Sequence, residues 1–110
     1  MNRTQFQQKL TTPKPLLLDG AMGTVLYNFG APLERPLCLL NTENPKLVAE
    51  VHRAYIEAGS DIIETNTFDA NRFKLAKHGQ SERSAELNAA AVTIARRVID
   101  SSFKPILLAG

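Results

Sequence analysis

Two acidic residues in this chain each follow a short apolar run and precede a polar or glycine-rich cluster. Asp19 closes Pro15-Leu16-Leu17-Leu18 and leads into Gly20-Ala21-Met22-Gly23-Thr24, while Glu64 closes Asp61-Ile62-Ile63 and leads into Thr65-Asn66-Thr67-Phe68. Parallel α/β proteins keep their chemistry in the loops that leave the carboxyl ends of the strands, on one face of the sheet. That rule puts Asp19 and Gly20 on the same rim as Glu64, Thr65, Asn66 and Thr67. Two carboxylates at neighbouring strand ends can hold an ammonium group, and the amides of Gly20 to Thr24, opening a helix, suit an anion. An α-amino acid carries both charges.

A plainer reading stands beside this one. Asp-Gly after a strand can be only a turn and helix cap, and Gly23 can serve to let a helix approach the sheet. Against it, a carboxylate ending an apolar strand costs free energy unless something pairs with it. The glycines form neither of the common phosphate-binding motifs. His52 and His78 fall in helical segments and are expected at the surface or at helix ends. Cys38, the only cysteine, cannot form an internal disulfide and is expected as a small buried apolar residue.

The elements that must position these residues follow from local pattern. Pro13 and Pro15 oppose helix, and the Leu16-Leu17-Leu18 run has no amphipathic period, so Pro15 to Asp19 is expected as a buried parallel strand. A short helix is expected over Thr24 to Phe29, ended by Gly30, followed by a loop from Ala31 to Thr42. Asn44 can cap a helix with Pro45 at its first position, an apolar face of Leu47, Val48, Val51, Ala54, Tyr55 and Ala58, and Gly59 at its end. Asp61 to Thr65 reads as a strand, Arg72 to His78 as a short helix stopped by Gly79, and Ser81 as the cap of a long helix to Asp100. Its apolar face has Ala85, Asn88, Val92, Ala95 and Ile99 on one edge and Leu87, Ala91, Ile94 and Val98 on the other. Lys104 to Ala109 is a third strand. Alternation of this kind implies parallel strands with right-handed crossovers.

Composition narrows the class. The 110 residues are 44% hydrophobic and 22% charged with a net charge of +2, the profile of one small globular domain. There is no basic stripe interleaved with aromatics, which argues against nucleic acid. No apolar run approaches the ~18 residues of a membrane span, and the N-terminus has no apolar core of a secretory signal. The expectation is a cytoplasmic protein.

Taken together, Leu17-Leu18-Asp19-Gly20-Ala21-Met22-Gly23-Thr24, Glu57-Ala58-Gly59-Ser60-Asp61-Ile62-Ile63-Glu64-Thr65-Asn66-Thr67-Phe68, Asn71-Arg72-Phe73-Lys74-Leu75 and Leu39-Leu40-Asn41-Thr42-Glu43-Asn44-Pro45 resemble the start of the homocysteine S-methyltransferase domain. That domain occurs in cobalamin-dependent methionine synthase, in betaine–homocysteine methyltransferase and in proteins fused to a methylenetetrahydrofolate reductase. The resemblance implies a (β/α)8 TIM barrel of which residues 1–110 would form the truncated N-terminal portion, about three β/α units. It implies a homocysteine pocket lined by Asp19, Gly20, Glu64, Asn66 and Thr67, and methyl transfer to the homocysteine thiol, activated on zinc, to give methionine. The family's zinc cysteines lie on late strands, two of them in a Gly-Gly-Cys-Cys motif, and Cys38 matches none of them. A chain with no zinc ligand is expected to be inactive alone. Asp69, where the betaine-using branch has an aromatic residue, favours a methylated folate or an S-methyl compound as donor, and a fused C-terminal domain such as methylenetetrahydrofolate reductase is a possible partner. The competing expectation is a stand-alone α/β module that binds a zwitterionic or anionic small molecule. Sequential strand order, with Asp19 and Glu64 opening on one end and helices on one face, is what a barrel requires; order 2-1-3 would oppose it.

Overall fold

The computed structural model describes residues 2–32 and 34–110; Leu33, in the expected loop from Ala31 to Thr42, lies outside them. Helix α1 (Arg3–Leu10) opens on a capping box in which Asn2 and Gln5 exchange side-chain to backbone hydrogen bonds, and none of its residues is buried. Helix α2 spans Gly23–Asn28 and ends ahead of Gly30, whose φ of 100° only glycine adopts freely. The expected loop holds more structure than its prolines suggest: a 3-10 turn at Leu37–Leu39 runs into helix α3 (Leu40–Glu43), with Cys38, Leu39, Leu40 and Asn41 buried.

Helix α4 (Pro45–Ala58) follows its sequence signals closely. Asn44 accepts from the Leu47 N–H, Pro45 takes the first turn, and Gly59 closes the helix at φ 108°. Its buried face is Val48, Val51, His52 and Ile56, whereas Ala54 and Ala58 are exposed. His52, expected at the surface or a helix end, is instead fully buried, and neither ring nitrogen has a hydrogen-bond partner among the described residues.

The sheet proper has two parallel strands, β1 (Ile62–Glu64) and β2 (Leu107–Ala109), with Ile63 opposite Leu108 and Glu64 opposite Ala109. The expected first strand contributes a single parallel bridge between Leu18 and Ile62. Around it, Asp19 N–H donates to the Ile62 carbonyl at 2.9 Å, Ile62 N–H to the Leu17 carbonyl at 3.0 Å, and Leu17 N–H to Asp61 Oδ2 at 3.0 Å. The segments thus lie in sequential order, with β1 between the Leu18 segment and β2. Leu17 and Leu18 are both 56% exposed, contrary to the buried strand expected there. An apolar run without period reads as covered on both faces, but these leucines join none of the chain's core clusters.

Helix α5 spans Arg72–Ala76 and α6 spans Ser84–Ser102. Ser81 does not cap α6; it starts a 3-10 turn, Ser81–Arg83, that leads into the helix. Leu87, Ala91, Ile94, Ala95, Val98 and Ile99 are buried along α6, while Ala85 and Val92 face out. The helix packs on α4 and on β1 in two apolar clusters, one joining Leu26, Val48, Val51 and Ile94, the other Ile56, Ile63, Ala95 and Val98. Among the described residues no helix is long and apolar enough to cross a membrane.

His52 gives the fold an acid limit. Burial lowers its imidazole from 6.5 to about 4, so the unfolded chain takes up this proton before the folded one does. The stability it contributes is complete above pH 6.5 and is lost as pH falls through about 4, a loss on the order of 3 kcal/mol. Replacing His52 with Leu should flatten the melting temperature of the chain between pH 6.5 and pH 4; an unchanged acid limb would show that other groups set it.

Candidate functional site

The site is built where the chain leaves its first two parallel segments. Asp19 follows the Leu18 bridge and Glu64 ends β1, and the backbone N–H of Glu64 donates to Asp19 Oδ2 at 3.0 Å. This bond ties the two segments at their carboxyl ends and fixes the Asp19 side chain across the rim. Its other oxygen, Oδ1, is buried and has no hydrogen-bond partner among the described residues. Desolvation is the main reason the Asp19 carboxyl sits above its ordinary range; the Glu64 N–H opposes that effect, and the Glu64 charge adds to it.

Beside this pair opens a cavity of about 290 Å³, lined by Asp19, Gly20, Met22, Gly23 and Leu37 on one side and Glu64 to Asp69 on the other. All five residues expected at the site, Asp19, Gly20, Glu64, Asn66 and Thr67, therefore meet at one cavity, but in different roles. Glu64 is exposed, and its carboxylate has no partner among the described residues. Gly20 lies close against Tyr55: a Cβ there would stand 3.0 Å from the Tyr55 hydroxyl, which donates to the Ala21 carbonyl at 2.6 Å, so a side chain at this position would have to push the ring aside. Gly23 similarly leaves room for Leu37, whose Cδ1 would lie 3.1 Å from an added Cβ. Thr67 Oγ1 pairs with Thr65 Oγ1 at 2.8 Å. Asn66 is buried, and its amide nitrogen donates to the Leu37 carbonyl and to Asn41 Oδ1.

The supporting roles of three residues here were not legible in the sequence, although the resemblance singles out Asp69 for its bearing on the methyl donor. Asp69 accepts from the N–H groups of Leu37 and Cys38 at 2.8 and 3.1 Å, Asn41 holds Asn66, and Tyr55 braces the Asp19–Gly20 turn. None has a local signature, because each acts on residues 25 to 34 positions away. Cys38 is buried as expected, and burial, with the neighbouring Asp69 carboxylate, pushes its thiol up to about 12, so it is no thiolate at neutral pH. Among the described residues no three His, Cys, Asp or Glu side chains are grouped to hold a metal ion.

What the geometry can do is bind a cation. An ammonium group at the rim would offset the repulsion between Asp19 and Glu64 and, with a small shift of the rim to expose it, would bond the closed-off Asp19 Oδ1; the amides that open α2 stand at the same cavity.

The family model for homocysteine S-methyltransferase matches residues 16–110. The methionine synthases of Mycobacterium leprae (strain TN) and Mycobacterium tuberculosis (strain ATCC 25618 / H37Rv) are 39% and 40% identical to the chain over 93 residues, which is 79% of this chain and 8% of each of those proteins. The metallated form of the homocysteine methyltransferase MmuM from Escherichia coli superposes with a TM-score of 0.79 at 30% identity, covering 98% of this chain and 39% of that one. The oxidized form gives 0.77 at 34% identity, covering 86% and 36%. The chain thus spans less than a tenth of the two synthases and under two fifths of the solved methyltransferase.

The raised Asp19 carboxyl carries a signed consequence for stability. Its folded value lies above the ordinary 3.8, so the ionised form is disfavoured in the fold and the carboxylate lowers stability once pH exceeds that value. Asp19→Asn, which keeps an oxygen to accept the Glu64 N–H, should melt no lower than the parent at pH 7, with any gain vanishing well below pH 3.8. A clear loss of stability at pH 7 would instead make Asp19 a structural cap.

Proposed function

From the chain's membership of the homocysteine S-methyltransferase family, we propose that it supplies the amino-acid-binding part of an enzyme that moves a methyl group to the thiol of homocysteine to give methionine. In this reading residues 1–110 are the N-terminal portion of a (β/α)8 barrel. The observation that carries it is the pairing at the rim: Asp19 Oδ1 is buried without a partner, beside the unpaired Glu64 carboxylate, on a cavity lined by all five expected residues.

The homocysteine ammonium is held between the Asp19 and Glu64 carboxylates, and its carboxylate faces the amides at the start of α2. Met22, Leu37 and Phe68 supply apolar wall for the thioalkyl arm. The sequential order of the Leu18 segment, β1 and β2 supports the barrel, as does the exposure of Leu17 and Leu18, which further strands would cover. The residues of this chain do not fit zinc: no suitable donor cluster exists among the described residues, and Cys38 is buried with its thiol held protonated. Metal and thiol activation therefore belong to residues outside this segment, and a methylated folate or S-methyl compound is the donor class in keeping with Asp69.

Titration calorimetry tests the assignment. Homocysteine should bind the chain, and Asp19→Asn should raise its Kd roughly ten- to hundredfold, the loss of a charge-assisted hydrogen bond worth ~1.5 to 3 kcal/mol. Equal affinity for both proteins would remove Asp19 from the pocket. Dialysed chain should hold no stoichiometric zinc; one full equivalent that disappears in Cys38→Ser would contradict the placement of the metal elsewhere.

A further inference from the structure

The wall of the cavity that leaves β1 is not held by its own hydrogen bonds alone. Asn41, on α3 and only 3% exposed, donates through Nδ2 to the Asn66 carbonyl at 2.9 Å and to the Leu87 carbonyl of α6 at 3.2 Å. Its Oδ1 accepts from Asn66 Nδ2 at 3.0 Å, and the same Asn66 nitrogen reaches the Leu37 carbonyl at 2.9 Å. At the far end of the loop, the Asp69 carboxylate accepts from the N–H groups of Leu37 and Cys38. The loop is thus gripped at both ends by the segment Leu37 to Asn41, and that segment is anchored in turn to α6.

Every hydrogen-bonding atom of the Asn41 side chain is used, and all its partners lie in the loop or its support. Asn41 does not line the cavity, so its effect on a ligand must pass through Asn66. Asp69 does line it, but both its oxygens are committed to backbone amides. Between these anchors lie Thr67 and the 88% exposed Phe68; the bonds of Thr67, to Thr65 and Ala70, stay within the loop and so do not tie it to the rest of the fold. We propose that Asn41 and Asp69 are positioning residues, which together hold the Thr65–Asp69 wall in register with Asp19 so that the cavity is formed before a ligand arrives. The inference rests on the reading above only for the identity of that ligand, homocysteine.

Amide hydrogen exchange on the 110-residue chain tests it without any ligand. Asn41→Leu keeps the branched shape while adding volume, removes the three bonds and leaves the Asn66 carbonyl unpaired, whereas the Leu87 carbonyl keeps its partner within α6. The amides of Leu37, Cys38, Thr67 and Ala70 should then exchange roughly tenfold faster or more, while those of Val51 and Ile94 in the helical core change by less than about threefold. An equal rise at all positions would mean that Asn41 only stabilises the fold, and no rise at the loop would mean that it holds nothing; either overturns the proposal. Should Asn41→Leu fail to fold, Asp69→Asn carries the test, with faster exchange at Leu37 and Cys38 and faster alkylation of Cys38 expected, and parental rates overturning it. With homocysteine added, Asn41→Leu should bind roughly tenfold more weakly than the parent. Failure of the parent itself to bind would count against the homocysteine assignment and leave the exchange result to decide the positioning role.

Discussion

The structure depends on one short run of backbone, Asp61 to Thr65, which bonds to neighbours on both edges. On one side Asp61 and Ile62 donate to the Leu17 carbonyl and Ile62 accepts from Asp19; on the other Leu107 donates to the Asp61 carbonyl and Thr65 to that of Ala109. Because both pairings are parallel, the chain must return over the sheet between them, and α4 and α6 are the returns. The same pairing leaves Asp19, Glu64 and the start of each following loop at one end. A cavity at that end follows from the ladder, and side chains then decide what the cavity accepts.

Those side chains work against one another in a way that stability alone would not favour. Asp19 is fixed by the Glu64 N–H, yet it keeps one buried oxygen without a donor and faces the Glu64 charge. Strain of this kind at a cavity is what a cationic ligand can relieve, and a protein can keep it because the ladder and the α4–α6 core hold the backbone regardless. His52 is the opposite case, a polar ring inside the core with no ligand to gain: its unpartnered nitrogens cost desolvation at any pH, and acid adds the cost of a buried charge.

Features with local causes were legible in the sequence. Asn44, Pro45 and Gly59 bound α4 to the residue, Gly30 ends α2's turn, and Asp19 and Glu64 were recognised because each closes an apolar run. Features that depend on distant partners were not legible. Asp69 looks like any loop acid until Leu37 and Cys38 are seen to donate to it, and Gly20 looks like half of a turn until Tyr55 is found against it. His52 was expected at the surface or a helix end because a polar ring is costly to bury, yet it lies four residues from both Val48 and Ile56, on the buried face of α4. Leu17 and Leu18 read as buried because composition records the wish for cover without recording whether this chain supplies it.

The rim joining Asp19 to Glu64 is the proposed seat of homocysteine, and it is read most directly from backbone amide shifts as homocysteine is added to the labelled chain. Saturable shifts are expected at Gly20 to Thr24 and at Glu64 to Asp69, with α4 and α6 still. No saturable shift, or shifts confined to the separate cavity lined by Gln5, Gln8, Lys9, Thr12 and Pro105 beside α1, would contradict it.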